Sequence, residues 1–253
     1  MSKPSPLVML ALVAISVITA IPPMTLYGDL NCGRANSDPN RVVFGTETSP
    51  NEFPWQVLVE PIFSGQEGLC GGTLLERDLV LTAAHCFYRL SNETAFQVRI
   101  TLGGHNRSQD ITLGTAVELY LPVNQSVLIH PDYVYGKHSK DDIALIFLGH
   151  HLDLTRYNNT ILPVCLASPS TDLTGREGVV SGWGKTKQHG TTSQVLRKAW
   201  VQVVEQAACA QQYKNTKQRV EEGILCAIGE GSRDTCKGDS GGPLAIQDYG
   251  TGK

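Results

Sequence analysis

Short β-type segments separated by turn residues constrain the fold of this chain more than any other feature. Runs rich in Val, Ile, Leu, Thr and aromatic residues occur at residues 55–63, 79–81, 97–102, 116–123, 143–148, 178–183 and 199–204. Residues 97–102 alternate polar and apolar side chains, which is typical of a half-buried strand. Helical signal is sparse, and residues 205–215 are the best candidate. The spacing predicts an all-β sandwich or barrel.

Charge and composition limit the class of partner. The formal net charge is −3 at pH 7, and no run of Lys and Arg would follow a phosphate backbone. Hydrophobic residues make up 41% of the sequence, which is enough to bury a core. We therefore expect a globular domain that binds no nucleic acid.

The N-terminus carries a short apolar segment. Residues 7–21 contain no charged side chain and follow a single lysine, Lys3. A membrane-spanning helix usually needs about 20 apolar residues, so this segment fits a cleaved secretory signal better than a signal anchor. We assign residues 1–20 to a signal peptide and residues 21–41, rich in Pro, Asn, Asp and Gly, to a propeptide or linker. The remaining chain is expected to be secreted, with no stable membrane span.

Sequons and cysteines agree with secretion. Candidate glycosylation sites of the Asn-x-Ser/Thr type occur at Asn92, Asn106, Asn124 and Asn158. The chain has seven cysteines, with no Cys-x-x-Cys pair or Cys/His cluster of the kind that holds zinc. A disulfide framework is the better interpretation, and the odd number leaves one thiol over. Several connectivities are open at this point.

The most specific chemical signal is a serine between glycines. Ser240 lies in Gly-Asp-Ser-Gly-Gly-Pro, residues 238–243. Flanking glycines let the backbone turn tightly and bring N–H groups close to a bound carbonyl, as stabilisation of an oxyanion requires. The same residues are also ordinary turn composition, and they fit the nucleophile elbow of α/β-hydrolases. In that elbow the acid and the histidine follow the serine, and no histidine follows Ser240, so the order of residues excludes it.

A serine nucleophile needs a base and a group that orients the base. His85 stands in Leu-Thr-Ala-Ala-His-Cys (81–86), where small neighbours leave room beside the imidazole. Asp142 opens Asp-Ile-Ala-Leu at the start of an apolar strand. Taken alone, His85 could be structural, and Asp142 could cap a strand or pair with Lys140. An acid drawn toward a core needs a donor, however, and a histidine N–H is a suitable one.

Four motifs occur in one order along the chain. They are Thr-Ala-Ala-His-Cys (82–86), Asp-Ile-Ala-Leu (142–145), Ser-Gly-Trp-Gly (181–184) and Gly-Asp-Ser-Gly-Gly-Pro (238–243). Together they resemble the chymotrypsin-like (trypsin-fold) serine endopeptidases, over residues 41–244. The resemblance implies an all-β domain at residues 42–253, with two packed antiparallel six-stranded Greek-key β-barrels, the second of them incomplete. It also implies a secreted protease zymogen that works through an acyl-enzyme.

The resemblance implies a role for each site residue. Ser240 attacks the scissile carbonyl, His85 transfers the proton, and Asp142 orients the imidazole. The N–H groups of Gly238 and Ser240 form the oxyanion hole. Asp234 matches the position at the bottom of the specificity pocket and implies cleavage after Arg or Lys.

Activation and cysteine pairing also follow from the resemblance. Residues 41–45 match the activation site, where cleavage after Arg41 frees the amine of Val42 to pair with Asp239. The implied disulfides are Cys32–Cys165, Cys70–Cys86 and Cys209–Cys226. The implied partners are protein or peptide substrates with Arg or Lys before the scissile bond, an activating protease and serpin-type inhibitors. No cofactor is expected.

Two features depart from the family pattern. Cys236 is left unpaired, because its partner in the family lies downstream of residue 253, with the second wall of the specificity pocket and a C-terminal helix. We therefore expect this chain alone to have weak or no activity and the full gene product to be a competent protease. Gly104 stands where calcium-binding relatives have a carboxylate ligand, so no metal is expected there. The alternative function is that of a non-catalytic protease homologue acting as a binding or decoy module.

Overall fold

Two antiparallel sheets form the framework of the described residues. A computed structural model describes residues 8–10 as backbone, and residues 32–36, 45–89, 93–108, 110, 115–136, 140–187, 190–214, 220, 223–229 and 238–247 in full. Five of the candidate site residues lie outside the described residues, namely Arg41, Val42, Asn92, Asp234 and Cys236. The strands are β1 (Val8–Leu10), β2 (Thr46–Glu47), β3 (Gln56–Phe63), β4 (Gln66–Glu67), β5 (Cys70–Glu76), β6 (Leu79–Thr82), β7 (Gln97–Leu102), β8 (Val117–Pro122), β9 (Val127–Ile129), β10 (Ala144–Phe147), β11 (Glu177–Gly182), β12 (Arg197–Val204), β13 (Leu225–Gly229) and β14 (Leu244–Ala245).

The first sheet has the strand order β8-β7-β3-β5-β6-β10-β9, with β4 paired to β3. Its central strand, β3, is almost completely buried. Strand β7 buries Val98, Ile100 and Leu102 as its sequence pattern predicts, and Thr101 in addition. The glycine-containing strand β5 was not expected from the sequence. Gly72 is required there, because a Cβ at this position would lie 2.9 Å from Val59 Cγ2 and 3.0 Å from Val80 Cγ1.

The second sheet has the strand order β1-β13-β12-β11-β14, with β2 paired to β12. Within the segment assigned to a signal peptide, β1 runs antiparallel to β13. The predicted helix over residues 205–215 corresponds to the helix Gln206–Tyr213. The few helices and the two curled antiparallel sheets confirm the expected all-β fold class.

One hydrophobic cluster joins the two sheets. Its fully buried members come mainly from the first sheet, such as Val57, Leu74 and Ile146, and it extends to Val179 and Trp183 at β11. Burying one such side chain contributes about 1.5–3 kcal/mol. A polar contact also crosses the seam, since Lys198 Nζ in β12 lies 2.5 Å from Glu52 Oε1 and both residues are buried. The seam between the sheets is therefore packed core, and the candidate site lies at one end of it.

Candidate active site

The candidate base is held on a short 3-10 helix, Ala84–Phe87, directly after β6. Ala84 and Phe87 are fully buried, so they anchor the helix on both sides of His85. The side chain of His85 is 40% exposed, whereas that of Asp142 is only 16% exposed. The imidazole therefore has one edge toward the solvent and the other toward a shielded carboxylate.

Two hydrogen bonds join His85 to Asp142. The ring nitrogen Nδ1 donates to Asp142 Oδ2 over 2.6 Å, and the main-chain N–H of His85 donates to Asp142 Oδ1 over 2.8 Å. Because a carboxylate only accepts, Nδ1 carries the proton of this contact, and in the neutral imidazole Nε2 is then the acceptor. Both carboxylate oxygens are engaged, which fixes the direction of the ring. This is the arrangement that a histidine general base requires.

The strand register explains how residues so far apart in sequence meet. In the antiparallel pair of β6 and β10, Thr82 lies opposite Ala144. Extending this register by two residues places Asp142 beside Ala84, next to His85. The motifs Ala-Ala-His-Cys and Asp-Ile-Ala-Leu thus meet at the same end of one strand pair.

Three tyrosines lie beside this pair. The ring of Tyr88 lies 5.9 Å from that of Tyr133 and stacks at 5.5 Å on that of Tyr135. Burial, followed by the negative charge of Asp142, raises the pKa of Tyr133 well above its ordinary value of about 10. Tyr133 therefore stays neutral throughout the pH range in which proteases work.

The candidate nucleophile sits on a tight turn at residues 238–242. Gly238 has φ +108° and Gly241 has φ +80°, conformations that side-chain-bearing residues rarely adopt. The N–H of Gly242 donates to the carbonyl of Asp239 over 3.0 Å. The pattern of glycines around Ser240 is thus explained by backbone conformation.

This turn rests on β5 and on the end of β6. The N–H of Gly71 donates to the carbonyl of Ser240 over 2.8 Å, and a Cβ on Gly71 would lie 2.8 Å from Gly242 Cα. A Cβ on Gly241 would collide with Thr82 Oγ1 and lie 2.8 Å from Ala83 N. Only glycine allows this approach of the two main chains.

The Cys70–Cys86 disulfide lies between the base and the nucleophile. Cys86 follows His85 directly, and its Sγ lies 3.8 Å from the carbonyl oxygen of Ser240. The structure thus brings His85, Asp142 and Ser240 to one corner of the molecule. Among the described residues, no hydrogen bond joins the Ser240 hydroxyl to the imidazole, and the N–H groups of Gly238 and Ser240 have no acceptor.

Asp239 is directed toward the Ser-Gly-Trp-Gly segment. Its Oδ1 accepts a hydrogen bond of 2.7 Å from the N–H of Gly184. A Cβ at Gly182 or Gly184 would collide with this carboxylate, which explains both glycines of the motif. The proposed partner of Asp239, the amine of Val42, lies outside the described residues.

The structure contains three disulfides within its described residues. They are Cys32–Cys165, Cys70–Cys86 and Cys209–Cys226, the same pairs that the resemblance implies. The first of them joins the N-terminal residues 32–36 to the main domain across a separation of 133 residues. Asn36 also attaches residues 32–36 to the main domain, because its Nδ2 donates hydrogen bonds to the carbonyls of Asn51 and Asn159.

The candidate glycosylation sites differ in exposure. Asn124 and Asn158 are exposed, whereas Asn106 is half-buried and accepts hydrogen bonds from Ser108 through its Oδ1.

The loop that follows Gly104 is closed by hydrogen bonds to a carboxylate within the loop. Asp110 accepts from the main-chain N–H groups of His105 and Asn106.

Two groups of described residues have the composition of metal ligands. Cys70, His85 and Cys86 form the first group, but the disulfide removes both thiolates. His130, Asp132 and Asp141 form the second, in which the N–H of Asp132 donates to His130 Nδ1 over 3.2 Å.

Of the described helices, none is both long enough and apolar enough to cross a membrane.

Two buried residues near the turn were not found from the sequence. Gln56 and Ser181 are joined by a 2.6 Å hydrogen bond from Ser181 Oγ to Gln56 Oε1, across the seam between the sheets. Ser181 belongs to the Ser-Gly-Trp-Gly motif, which was the available signal. A single glutamine at the start of a strand does not indicate a functional residue when only the sequence is known.

Comparison with known proteins places this site in a family. The family model described as Trypsin matches residues 42–251. Melanization protease 1 of Drosophila melanogaster is 36% identical over 237 residues, covering 88% of this chain and 58% of that protein. Phenoloxidase-activating factor 1 of Holotrichia diomphalia is 36% identical over 221 residues, covering 82% of this chain and 59% of that protein. Coagulation factor IX of Cavia porcellus is 34% identical over 216 residues, covering 83% of this chain and 69% of that protein.

A solved structure of a serine protease has a similar fold. Neuropsin, a serine protease expressed in the limbic system of mouse brain, matches with a TM-score of 0.65 at 28% identity, over 81% of this chain and 82% of that one. The chain spans less than two thirds of the length of the melanization protease and of the phenoloxidase-activating factor. On the family model and these relatives together, the chain belongs to the trypsin family of serine proteases.

Proposed function

We propose that this protein is a secreted trypsin-like serine endopeptidase zymogen, activated by cleavage after Arg41, which hydrolyses peptide bonds after Arg or Lys. The observation that carries the proposal is the doubly hydrogen-bonded pair of His85 and Asp142. A shielded carboxylate that fixes the ring and leaves Nε2 as an acceptor is the arrangement of a catalytic histidine, and a histidine with a purely structural role does not require it.

Catalysis begins at the Ser240 hydroxyl. His85 Nε2 takes the hydroxyl proton as the oxygen attacks the scissile carbonyl, and it later returns the proton to the leaving amine. Asp142 keeps the ring in the tautomer that this transfer requires and stabilises the imidazolium that forms. Water then hydrolyses the acyl-enzyme by the same route. The Ser240–His85 hydrogen bond forms with substrate bound, as is common for catalytic contacts that are open in the free enzyme.

The N–H groups of Gly238 and Ser240 serve as the oxyanion hole. Neither has an acceptor among the described residues, so both remain available for a substrate oxygen. One donor of this kind is worth roughly 2.7–4 kcal/mol of barrier. The unusual φ of Gly238 supports this role, because it turns the main chain at the place where the donors must converge.

Activation acts through the main chain that follows Arg41. Strand β2 already lies along β12, with Thr46 opposite Lys198, and the guanidinium of Arg197 donates to the carbonyl of Gly45. These contacts hold the chain close to the second sheet. Cleavage would free the amine of Val42 to pair with Asp239, whose carboxylate is directed toward Gly184.

Specificity, partners and location complete the proposal. Asp234 selects Arg or Lys by charge pairing. The substrates are proteins or peptides with a basic residue before the scissile bond, and an activating protease and serpin-type inhibitors act on the enzyme itself. Residues 1–20 direct secretion, and residues 21–41 remain attached after cleavage through the Cys32–Cys165 disulfide.

The test is hydrolysis of an Arg-amide substrate by the full gene product, purified and cleaved after Arg41. We expect activity that is lost in Ser240→Ala and falls by orders of magnitude in Asp142→Asn, because Asn cannot hold the same tautomer. A matched Glu-amide substrate should not be hydrolysed. Absence of Arg-amide hydrolysis, with intact cleavage at Arg41, would contradict the proposal.

A second candidate function is that of a non-catalytic homologue that binds proteins without cutting them. The observation in its favour is the Ser240 hydroxyl, which makes no hydrogen bond to the imidazole in the described structure. Labelling with a serine-directed fluorophosphonate separates the two, since only an activated Ser240 reacts. Labelling that is absent both before and after cleavage would favour the binding module.

A further inference from the structure

Gln56 is a buried amide at the seam between the two sheets. It is 2% exposed at the start of β3, beside the core residue Val57. Its Oε1 accepts a 2.6 Å hydrogen bond from Ser181 Oγ in β11, and Ser181 is itself only 6% exposed. One side chain thus connects the sheet that carries the base to the sheet that carries the nucleophile.

The other end of the same amide is unusual. Within the described part of the chain, Gln56 Nε2 is buried and has no hydrogen-bond acceptor. A buried donor without an acceptor is costly, and native structures contain few of them. An apolar side chain of similar length, such as Met, would fill the same space without an unpaired nitrogen, although Ser181 would lose its acceptor, so packing alone does not explain a glutamine here.

The unpaired nitrogen faces the turn that carries Ser240. A Cβ built on Gly242 would lie 3.9 Å from Gln56 Nε2 and 3.1 Å from the carbonyl oxygen of Ser181. Gly242 is tied to the turn through its N–H, which donates to the carbonyl of Asp239. The amide therefore lies against the nucleophile turn at Gly242, two residues after Ser240.

We propose that Gln56 is a positioning residue for Ser240. Ser181 fixes the orientation of the amide, and Nε2 favours the arrangement of the turn in which a main-chain carbonyl points at it. The Ser240 hydroxyl is not yet bonded to His85, and a donor beneath the turn can stabilise the main-chain position from which that bond forms. Gln56 acts through the turn and touches no substrate. This inference rests on the protease function proposed above.

The first measurement is the kinetics of Gln56→Met on the Arg-amide substrate. We expect kcat to fall about tenfold and KM to stay within about twofold, since the turn sets the chemical step and not the specificity pocket. Thr101→Val is the matched control. Thr101 is also buried with an unpaired side-chain oxygen, but it lies in β7, away from the turn. Its kcat should not change.

The second measurement does not depend on activity. Hydrogen exchange of the Gly242 and Gly71 main-chain amides reports opening of the turn, because one donates within it and the other donates to it. We expect about tenfold faster exchange at both in Gln56→Met, and unchanged exchange in β7. Equal exchange at Gly242 in wild type and variant overturns the inference, whatever the activity.

The two proposals fail in different ways. If the full gene product, cleaved after Arg41, hydrolyses nothing, the protease function fails, and hydrogen exchange still decides the role of Gln56. Should Gln56→Met not fold, Ser181→Ala provides the same test, since it frees the amide to rotate. It should speed exchange at Gly242 by a few-fold, and unchanged exchange there overturns the inference equally.

Discussion

A single added methyl group at Gly71 should slow catalysis without touching any catalytic side chain. The Cβ of Gly71→Ala would lie 2.8 Å from Gly242 Cα and 3.0 Å from Gly242 N. Carbon atoms in favourable contact are about 3.5–4.0 Å apart. The turn that carries Ser240 must therefore retreat from β5 by about 0.7–1.2 Å, or β5 must bend by as much.

The size of the effect follows from this displacement. Moving a reacting group by about 1 Å can lower the rate by about 10²-fold, which corresponds to about 2.7 kcal/mol of barrier. Overpacking costs about 1–3 kcal/mol of stability in addition. The N–H of residue 71 can still donate to the carbonyl of Ser240, so the turn is displaced and not released.

The assay compares kcat/KM for an Arg-amide substrate with the free energy of unfolding in urea. Gly104→Ala is the matched control, because among the described residues its Cβ would meet only Thr101 Cγ2, at 3.4 Å, and its φ is not positive. We expect about 10²-fold lower kcat/KM for Gly71→Ala and no change for Gly104→Ala. A folded Gly71→Ala protein with kcat/KM within threefold of wild type would refute the reasoning.

Three further predictions concern stability. Lys198→Met should lower the free energy of unfolding by about 3–5 kcal/mol, because it leaves the buried carboxylate of Glu52 without its cation; urea unfolding measures this. Tyr133 has a raised pKa in the fold, so stability should decline as the pH rises above about 10, where only the unfolded chain loses the proton; Tyr133→Phe should show less of this decline in melts at pH 9 and 11. Replacing Cys70 and Cys86 together by Ser should cost about 3 kcal/mol, as expected for a short closed loop, and should lower fluorophosphonate labelling at the same time.

The sequence predicted those parts of the fold that local patterns determine. Strands β3, β7, β8, β11 and β12 follow from apolar runs or from alternation, and the structure has them within one or two residues of the expected limits. Strand β5 was missed because Gly71 and Gly72 lower its β-propensity. Close approach to β3, β6 and the nucleophile turn selects glycine there, and that reason is visible only in three dimensions.

The candidate site was predicted from motifs, and motifs name residues without giving distances. The contact between His85 and Asp142 follows from strand register, which no single motif contains. Gln56 was missed for the same reason. Its significance depends on Ser181 and Gly242, which are distant in sequence and adjacent only across the seam.

The division of the site between two sheets determines where substitutions affect catalysis most. His85 and Asp142 are held by the first sheet alone, through the pairing of β6 with β10. Ser240 enters from the second sheet, just before β14, and reaches the base through main-chain contacts with Gly71. Main-chain contacts leave no space for added atoms, so the seam tolerates less change than the surroundings of the base. Substitutions at the seam should therefore reduce the rate of catalysis before they unfold either sheet.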